Sequence, residues 1–184
     1  MHGYRGLSFR ILAERLETTR ANLHYHFGNK LSLVEEVVDA YATGTAKRFR
    51  TTWTDRETSF DAKVLETYAF NRERFLRFND GEVYKGHWSL ITRMRNDIDV
   101  LSPKAIERLH AYTRETIEVV HQGIEMSMER GDLVAHTPVE DIALQLNGIF
   151  NSAGSITQEA GNISGLEKLY RAFLTTVQAA YGIK

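Results

Sequence analysis

A run of polar residues near the N-terminus carries the side-chain types that can read DNA. From Thr18 to Lys30 the sequence is TTRANLHYHFGNK, which offers a guanidinium, an amide, hydroxyls and an ammonium group. A guanidinium or an amide can hydrogen-bond to base edges, whereas hydroxyls and lysine suit phosphate oxygens. Arg20 and Asn22 are therefore the candidate base-reading residues, provided that the run forms a helix of the right size for the major groove.

A second set of residues has spacing known from metal sites. Glu107-x-x-His110 and Glu118-x-x-His121 match the Glu-x-x-His pairs of di-iron helical bundles. The two pairs lie eleven residues apart on one predicted helix, about 16 Å along its axis, whereas bundle sites draw such pairs from different helices. Charges on a helix surface and one partly buried histidine are the preferred interpretation, and a di-metal bundle enzyme is the least favoured alternative.

No metal ligand set or cofactor motif is predicted elsewhere. The chain has no cysteine, which excludes disulfides and thiolate sites and fits a reducing cytoplasm. His24 and His26 are two positions apart, so they diverge on a helix and cannot share a zinc ion. We expect no catalysis, no cofactor, no membrane span and a cytoplasmic location.

The elements that must hold these residues are all predicted to be helical. Only two prolines occur among 184 residues, and apolar residues recur at spacings of three and four. A short helix follows Ser8, a plausible N-cap, and a second carries Thr19, Leu23 and Phe27 before ending at Gly28. A longer helix then runs from about Asn29 towards Trp53. Two short helices joined by a tight turn form a helix-turn-helix, whose second helix enters the major groove.

Five further helices are predicted behind this head. The spacing and the breaks indicate helices over residues 59–78, 83–96, 103–130, 138–161 and about 166–181. The third begins at Ser102-Pro103, has an inner stripe and stops at Gly131. Its stripe is Ile106, Leu109, Thr113, Ile117, Val120, Ile124 and Met128. Thr137-Pro138-Val139-Glu140 predicts an N-cap, a first-turn proline and a capping-box acid for the fourth.

The run from Thr18 to Lys30 closely resembles the signature of the TetR (tetracycline-repressor) family, with its recognition helix, His-Phe pair and lysine. Gly3-Tyr4 and residues 8–16 match the segment ahead of it, so the resemblance covers about residues 3–38. It implies a helix-turn-helix head over residues 1–46 and a helical-bundle body over 47–184 that binds an effector and dimerises. Matching family positions imply that phosphates are held by Ser8, Thr18, Thr19, His24, Tyr25 and Lys30.

The head also departs from the family pattern. Family members usually carry a further helix before the Gly-Tyr pair, whereas this sequence starts two residues before it, so we expect a head that lacks its usual first helix. Glu17 stands where the family usually has a turn glycine, and a positive φ there would be mildly strained. A dimeric small-molecule-binding module with impaired DNA binding is therefore the alternative to a working regulator.

The body is expected to dimerise through its last two helices and to bind a small molecule inside. A stripe of small residues and the broad apolar face of the last helix predict the interface, which comprises Gly148, Ser152, Ser155, Leu166, Tyr170, Phe173 and Val177. Polar or aromatic residues that interrupt apolar faces are the ligand candidates. These are Trp88, Met94, Tyr112, His121, Asn147, Phe150 and Asn151.

Charge is distributed as these roles require. The net charge is -1, but residues 1–30 carry five basic and two acidic residues, which leaves -4 on the remainder. A small basic head on an acidic body suits local contact with DNA more than indiscriminate binding. The function predicted is that of a ligand-responsive DNA-binding transcriptional regulator, a homodimeric repressor whose partners are a palindromic DNA operator and a small-molecule effector of unknown identity.

Overall fold

The structure, a computed structural model, describes residues 4–183, which form an all-α fold. The helices are α1 (Phe9–Arg15), α2 (Arg20–Phe27), α3 (Lys30–Trp53), α4 (Phe60–Phe78), α5 (Leu90–Asn96), α6 (Pro103–Arg130), α7 (Val139–Ala160) and α8 (Ser164–Tyr181). A 3₁₀ turn, Ile98–Val100, lies between α5 and α6. Extended pairing in this range is limited to two isolated bridges. Across the same residues, no helix is both long enough and apolar enough to cross a bilayer.

Side-chain caps start the three helices of the head. The Ser8 hydroxyl accepts a hydrogen bond from the Ile11 amide at 3.4 Å, and Thr19 accepts one from the Asn22 amide at 3.0 Å. The Asn29 side chain accepts one from the amide three residues on at 3.0 Å. Each cap satisfies an amide that has no partner within its helix. The helix starts predicted at Ser8, Thr19 and Asn29 are therefore confirmed.

Two hydrophobic cores share α3. The smaller consists of Phe9, Ala13, Leu23 and Leu33 and holds α1 and α2 on the start of α3. The larger fills the body and already includes Val34 and Val38 of the same helix. The predicted division after residue 46 falls inside α3, and it stays a prediction.

The helices α3 and α6 pack most extensively in the body. Trp53 is fully buried, and its indole N–H donates to the Thr67 hydroxyl at 3.0 Å. Gly123 of α6 lies against it, because a Cβ at Gly123 would stand 2.6 Å from both the Trp53 ring and the Trp53 carbonyl. A glycine is therefore required at position 123, where the Trp53 side chain packs against α6.

The predicted helix over residues 83–96 is wrong at its start. The helix begins at Leu90, with the Ser89 hydroxyl accepting from the Thr92 amide at 3.3 Å. Ahead of it, the Asn79 side-chain oxygen accepts from the amides of Lys85 and Gly86 at 2.6 and 2.9 Å. These bonds, together with a bridge between Val83 and Asn162, hold the segment in a non-helical conformation.

Two finer predictions also need correction. Thr137 does not cap α7, since its hydroxyl donates to the Val134 carbonyl at 2.6 Å and the helix begins at Val139 without a side-chain cap.

In α6 the inner stripe is rotated by one residue at several positions. The buried members include Ala105, Tyr112, Thr116 and Ser127, whereas Ile106, Thr113, Ile117 and Met128 are only partly buried. Because α6 packs against both α3 and α7, its buried face does not coincide with the stripe of its most apolar residues.

We predict that Gly123→Ala destabilises the fold and that Gly44→Ala does not. The new methyl at position 123 must displace Trp53, at a cost of about 1–3 kcal/mol. At Gly44, within α3, a Cβ would meet nothing within 4 Å, so alanine should add up to about 1 kcal/mol through its helix propensity. Urea unfolding of both variants measures this. Equal stabilities for the two variants would contradict the close approach at Gly123.

Candidate nucleic-acid interface and effector site

The helix α2 presents its polar residues to solvent. Leu23 is its one buried residue and anchors it to the small core, while Arg20, Asn22 and His24 are exposed. Tyr25 is 85% exposed, which is unusual for an aromatic side chain with an apolar ring. Within residues 4–183, Arg20 makes no ion pair. The exposed face of α2 is thus available to an external partner.

The residues around the start of α2 hold one another. The Asn22 amide group donates to the Thr18 hydroxyl at 2.9 Å, and Thr19 caps the helix. One N–H and the carbonyl oxygen of Asn22 are left for an external partner. The structural roles of Ser8, Thr18 and Thr19 are compatible with phosphate contacts, because a hydroxyl that accepts one hydrogen bond can still donate another.

His24 has a structural role at the end of α2. Nδ1 of His24 lies 2.9 Å from the Gly28 carbonyl oxygen, and its ring meets the Phe9 ring edge-on at 4.6 Å. It therefore closes the end of α2. His26 is exposed, with its ring against Tyr25, whereas Phe27 packs on the small core as expected.

Glu17 occupies the turn between α1 and α2 in a left-handed conformation, with φ 51°. Among the described residues it is the one non-glycine residue with a positive φ. The turn is closed by the Thr18 amide, which donates to the Ala13 carbonyl at 3.0 Å. The strain anticipated from the sequence is present, at about 1–2 kcal/mol for an L-residue.

Tyr4 joins the head to the body. The Lys30 ammonium lies over the Tyr4 ring, 4.2 Å from its centre, and the Tyr4 amide donates to the Asp97 carboxylate at 2.8 Å. Asp97 is only 7% exposed, and Arg5 lies 4.0 Å from it and pairs with Asp99. Sequence reasoning missed this contact because Tyr4 and Asp97 are 93 residues apart.

Further polar contacts fasten the middle of α3 to the start of α6. Glu35 accepts from the Ser102 hydroxyl at 2.6 Å and pairs with Lys104 at 3.2 Å. The Ser102 hydrogen bond, followed by Lys104, lowers the pKa of Glu35. Arg108 pairs with Asp39 at 2.8 Å. The chain that follows α5 is therefore attached to the head at several points.

Most of the predicted effector residues lie inside the body. Trp88, Met94, Tyr112, Asn147 and Phe150 are buried, and Asn151 is half-buried. The Asn147 side-chain oxygen accepts from Thr116 at 2.9 Å and from Asn151 at 2.8 Å. Trp88 donates to Thr157 at 2.8 Å, and Phe150 stacks on Phe70.

His121 does not join this group. It follows Tyr112 by nine residues, about two and a half helical turns, so the two side chains leave α6 on opposite sides. His121 Nδ1 instead lies 3.5 Å from Glu125. The other members of the Glu-x-x-His pairs, Glu107, His110 and Glu118, are exposed on the same helix, and the described residues contain no group of three metal-ligating side chains.

Two clefts open on the surface of the body, and none of the seven predicted effector residues lines them. One of about 530 Å³ lies between Asp61 at the start of α4 and residues 174–183 at the end of α8. The other, of about 380 Å³, follows residues 44–52 of α3. The predicted effector residues are therefore separate from both clefts.

The predicted dimer residues fall into two groups. Gly148, Ser152 and Ser155 are exposed on α7. The four from α8, namely Leu166, Tyr170, Phe173 and Val177, are buried within the subunit. Their apolar face packs on α4 and α7, so it offers no surface to a second copy. The outward face of α8 instead carries Leu169, Ala172 and Thr176.

Comparison with known proteins agrees with this geometry. Residues 1–37 match the family model described as bacterial regulatory proteins, tetR family. This match identifies residues 1–37 as a tetR-family segment. The matched stretch includes all of α1 and α2 and the start of α3, so the exposed α2 is the second helix of a tetR-family helix-turn-helix. No curated protein sequence matches the chain.

Solved structures share the fold of the whole chain. Reduced NemR of Escherichia coli has a TM-score of 0.79 at 15% identity, over 94% of this chain and 86% of its own. A TetR regulator from Chloroflexus aurantiacus gives 0.78 at 16%, over 100% and 90%. A cysteine mutant of CifR, a TetR family transcriptional regulator complexed with 26-bp double-strand operator DNA, gives 0.70 at 24%, over 95% and 88%.

We predict that Asp97→Ala loosens the tetR-family head and that Asp99→Ala has little effect. Removing the Asp97 carboxylate leaves the Tyr4 amide without its acceptor, at a cost of about 1–3 kcal/mol. Asp99 is exposed and pairs only with an exposed arginine, so its removal should cost less than about 0.5 kcal/mol. Hydrogen exchange should quicken in α1 and α2 of the first variant alone. Unchanged exchange there would show that Asp97 does not restrain the head.

Proposed function

We propose that the chain is a ligand-responsive, DNA-binding transcriptional regulator that acts in the cytoplasm as a homodimeric repressor. The observation that carries the proposal is the exposed polar face of α2 on a tetR-family domain. The structure of CifR with operator DNA supports it, since that protein has the same fold. A homodimer has two-fold symmetry, so its operator should be palindromic, with half-sites about one DNA turn apart.

The proposed DNA contact consists of base contacts and phosphate contacts, which use different side-chain chemistry. Arg20 and Asn22 point from the first turns of α2 and read base edges, as arginine does with guanine and asparagine with adenine. The hydroxyls of Ser8, Thr18 and Thr19, with His24, Tyr25 and Lys30, hold the phosphates on either side. Lys30 is set in place by the Tyr4 ring, so its ammonium is restrained before DNA arrives.

We predict that Arg20→Ala relaxes specificity and that Lys30→Ala weakens all sites alike. The operator would first be selected from random duplexes by the wild-type chain, and affinities then measured over a range of salt concentrations. Arg20→Ala should lose about 1–3 kcal/mol at one base pair only, whereas Lys30→Ala should reduce the salt slope by about one. Identical losses on every sequence for both variants would contradict these roles. Failure of the wild type to select any sequence would favour the small-molecule-binding module.

The homodimer is proposed to form through the outward faces of α7 and α8. Gly148 supports this, because it lies in the middle of a helix, where glycine costs about 1 kcal/mol, yet a Cβ there would meet nothing within 4 Å in its own subunit. Ser152 and Ser155 continue the same exposed line. Two large apolar residues, Leu144 on α7 and Leu169 on α8, are exposed as well. A second pair of helices would cover these residues and complete a four-helix bundle.

We predict that Ser152→Arg produces monomers and that Thr51→Arg leaves the dimer intact. An arginine at Ser152 would bring a bulky charge into the centre of the interface, whereas Thr51 is exposed on α3, away from it. Sedimentation of the wild type and both variants at the same concentration tests this. A monomeric wild type, or a dimeric Ser152→Arg variant, would refute the interface.

The effector is proposed to bind inside the body at the level of Tyr112, Asn147 and Asn151. Two polar atoms support the site, since the Tyr112 hydroxyl and the Asn151 side-chain oxygen are buried without a hydrogen-bond partner among residues 4–183. Such atoms cost roughly 1–3 kcal/mol each when left unpaired. A ligand that hydrogen-bonds to them would recover that cost.

A further inference from the structure

Two arginines of the body, Arg74 and Arg95, are half-buried. Arg95 extends from α5 and donates to the Thr113 hydroxyl at 2.7 Å. Arg74 extends from α4, and its guanidinium lies over the Tyr41 ring, 4.2 Å from the centre. Within residues 4–183, neither arginine forms an ion pair with a carboxylate, in contrast to Arg48, which pairs with Glu73 at 2.9 Å. Guanidinium groups drawn away from water are usually paired with an anion.

Tyr112 adds a hydrogen-bond donor. Its side chain is completely buried, and burial keeps the pKa of its hydroxyl well above the ordinary value, so it remains an O–H donor. The hydroxyl has no acceptor within the described chain. The Arg95 guanidinium contacts Thr113, the residue that follows Tyr112 on α6. A buried O–H donor without an acceptor and a guanidinium without a carboxylate partner are therefore found at adjacent positions of α6.

Asn151 lies at the same level on the neighbouring helix. Thr116 of α6 donates to Asn147 of α7, and these two helices follow each other in the chain and pack side by side. One turn back along α6 is Tyr112, and one turn forward along α7 is Asn151, so the two residues face each other across the helix pair. Phe150, the residue before Asn151, stacks on Phe70 and supplies an aromatic surface on the same helix.

We propose that this level binds a carboxylate, so that the effector is a small organic acid whose carboxylate is held by Arg95 and Tyr112. The inference rests on the proposed function, because it specifies the chemical class of the effector. A planar carboxylate has two oxygens and accepts one hydrogen bond from a guanidinium and another from a hydroxyl. Aromatic side chains beside it suit the organic part of the molecule better than they suit a free phosphate. Arg95 is half-buried, so the proposed site is connected to solvent along the Arg95 side chain.

The first test varies the charge of a probe at constant shape. Benzoate, benzamide and benzylamine carry one ring and charges of minus one, zero and plus one at neutral pH. At about 10 mM, benzoate should raise the Tm of the full chain by about 2 °C or more, the shift given by a roughly millimolar Kd, while the other two should not. No shift with benzoate, or equal shifts with all three, would overturn the proposal.

The second test varies the protein and measures its Tm with and without benzoate. Arg95→Met replaces the guanidinium with an apolar side chain of similar length, so it should raise the Tm of the free chain and abolish the benzoate shift. Tyr112→Phe should keep or raise the Tm and reduce the benzoate shift. The matched control is Arg48→Met, which removes a paired surface arginine and should leave the benzoate shift unchanged. A lowered Tm for Arg95→Met, with an unchanged benzoate shift, would assign Arg95 a structural role.

Operator selection by the wild type separates this inference from the proposed function. If the wild type selects an operator and benzoate has no effect, the proposed DNA-binding function is supported and the carboxylate site is refuted. If no operator is selected and benzoate still stabilises the wild type but not Arg95→Met, the carboxylate site stands in a binding module.

Discussion

One unbroken helix constrains the whole molecule. The 24 residues of α3 extend about 36 Å, with Leu33 in the core of the head and Trp53 at the centre of the body. Because a continuous helix is stiff, the direction in which α2 faces is set by how the far end of α3 packs on α6. That packing has little tolerance, since Trp53 fits only where Gly123 lacks a side chain. The orientation of the exposed face of α2 is thus determined in the body.

Local rules predicted most of the fold, and long-range contacts account for what they missed. Ser8, Thr19 and Ser102 mark helix starts because a cap needs only an amide three residues away. The spacing predicts a helix over residues 83–89, yet they are not helical, because the Asn79 side chain binds the amides of Lys85 and Gly86 and residue 162 bridges to Val83. Periodicity along the segment does not reveal a side chain that reaches back to it or a partner 79 residues away.

The candidate sites could be predicted from sequence to different extents. On α2 the polar face is local and its exposure follows from one buried residue, Leu23, so residue types were enough to predict an exposed polar face. On α8 the same logic identified an apolar face but not what covers it. Tyr170 receives a hydrogen bond from Asn71 within the subunit, a contact across 99 residues that no helical pattern reveals. Arg95 was missed because an unpaired charge is visible only once its neighbours are known.

The short segment after α5 links the interior of the body to the head. Arg95 projects into the level of Tyr112, and two residues later Asp97 accepts from the amide of Tyr4, on whose ring Lys30 rests. A ligand can change the head only if it binds two arrangements of such a segment with different affinities. A seven-residue helix followed by a 3₁₀ turn can adopt a second arrangement at a lower cost than α3 or α6, because it buries few side chains of its own. The segment therefore satisfies the physical conditions for coupling, since it is attached at both ends and carries little of the core.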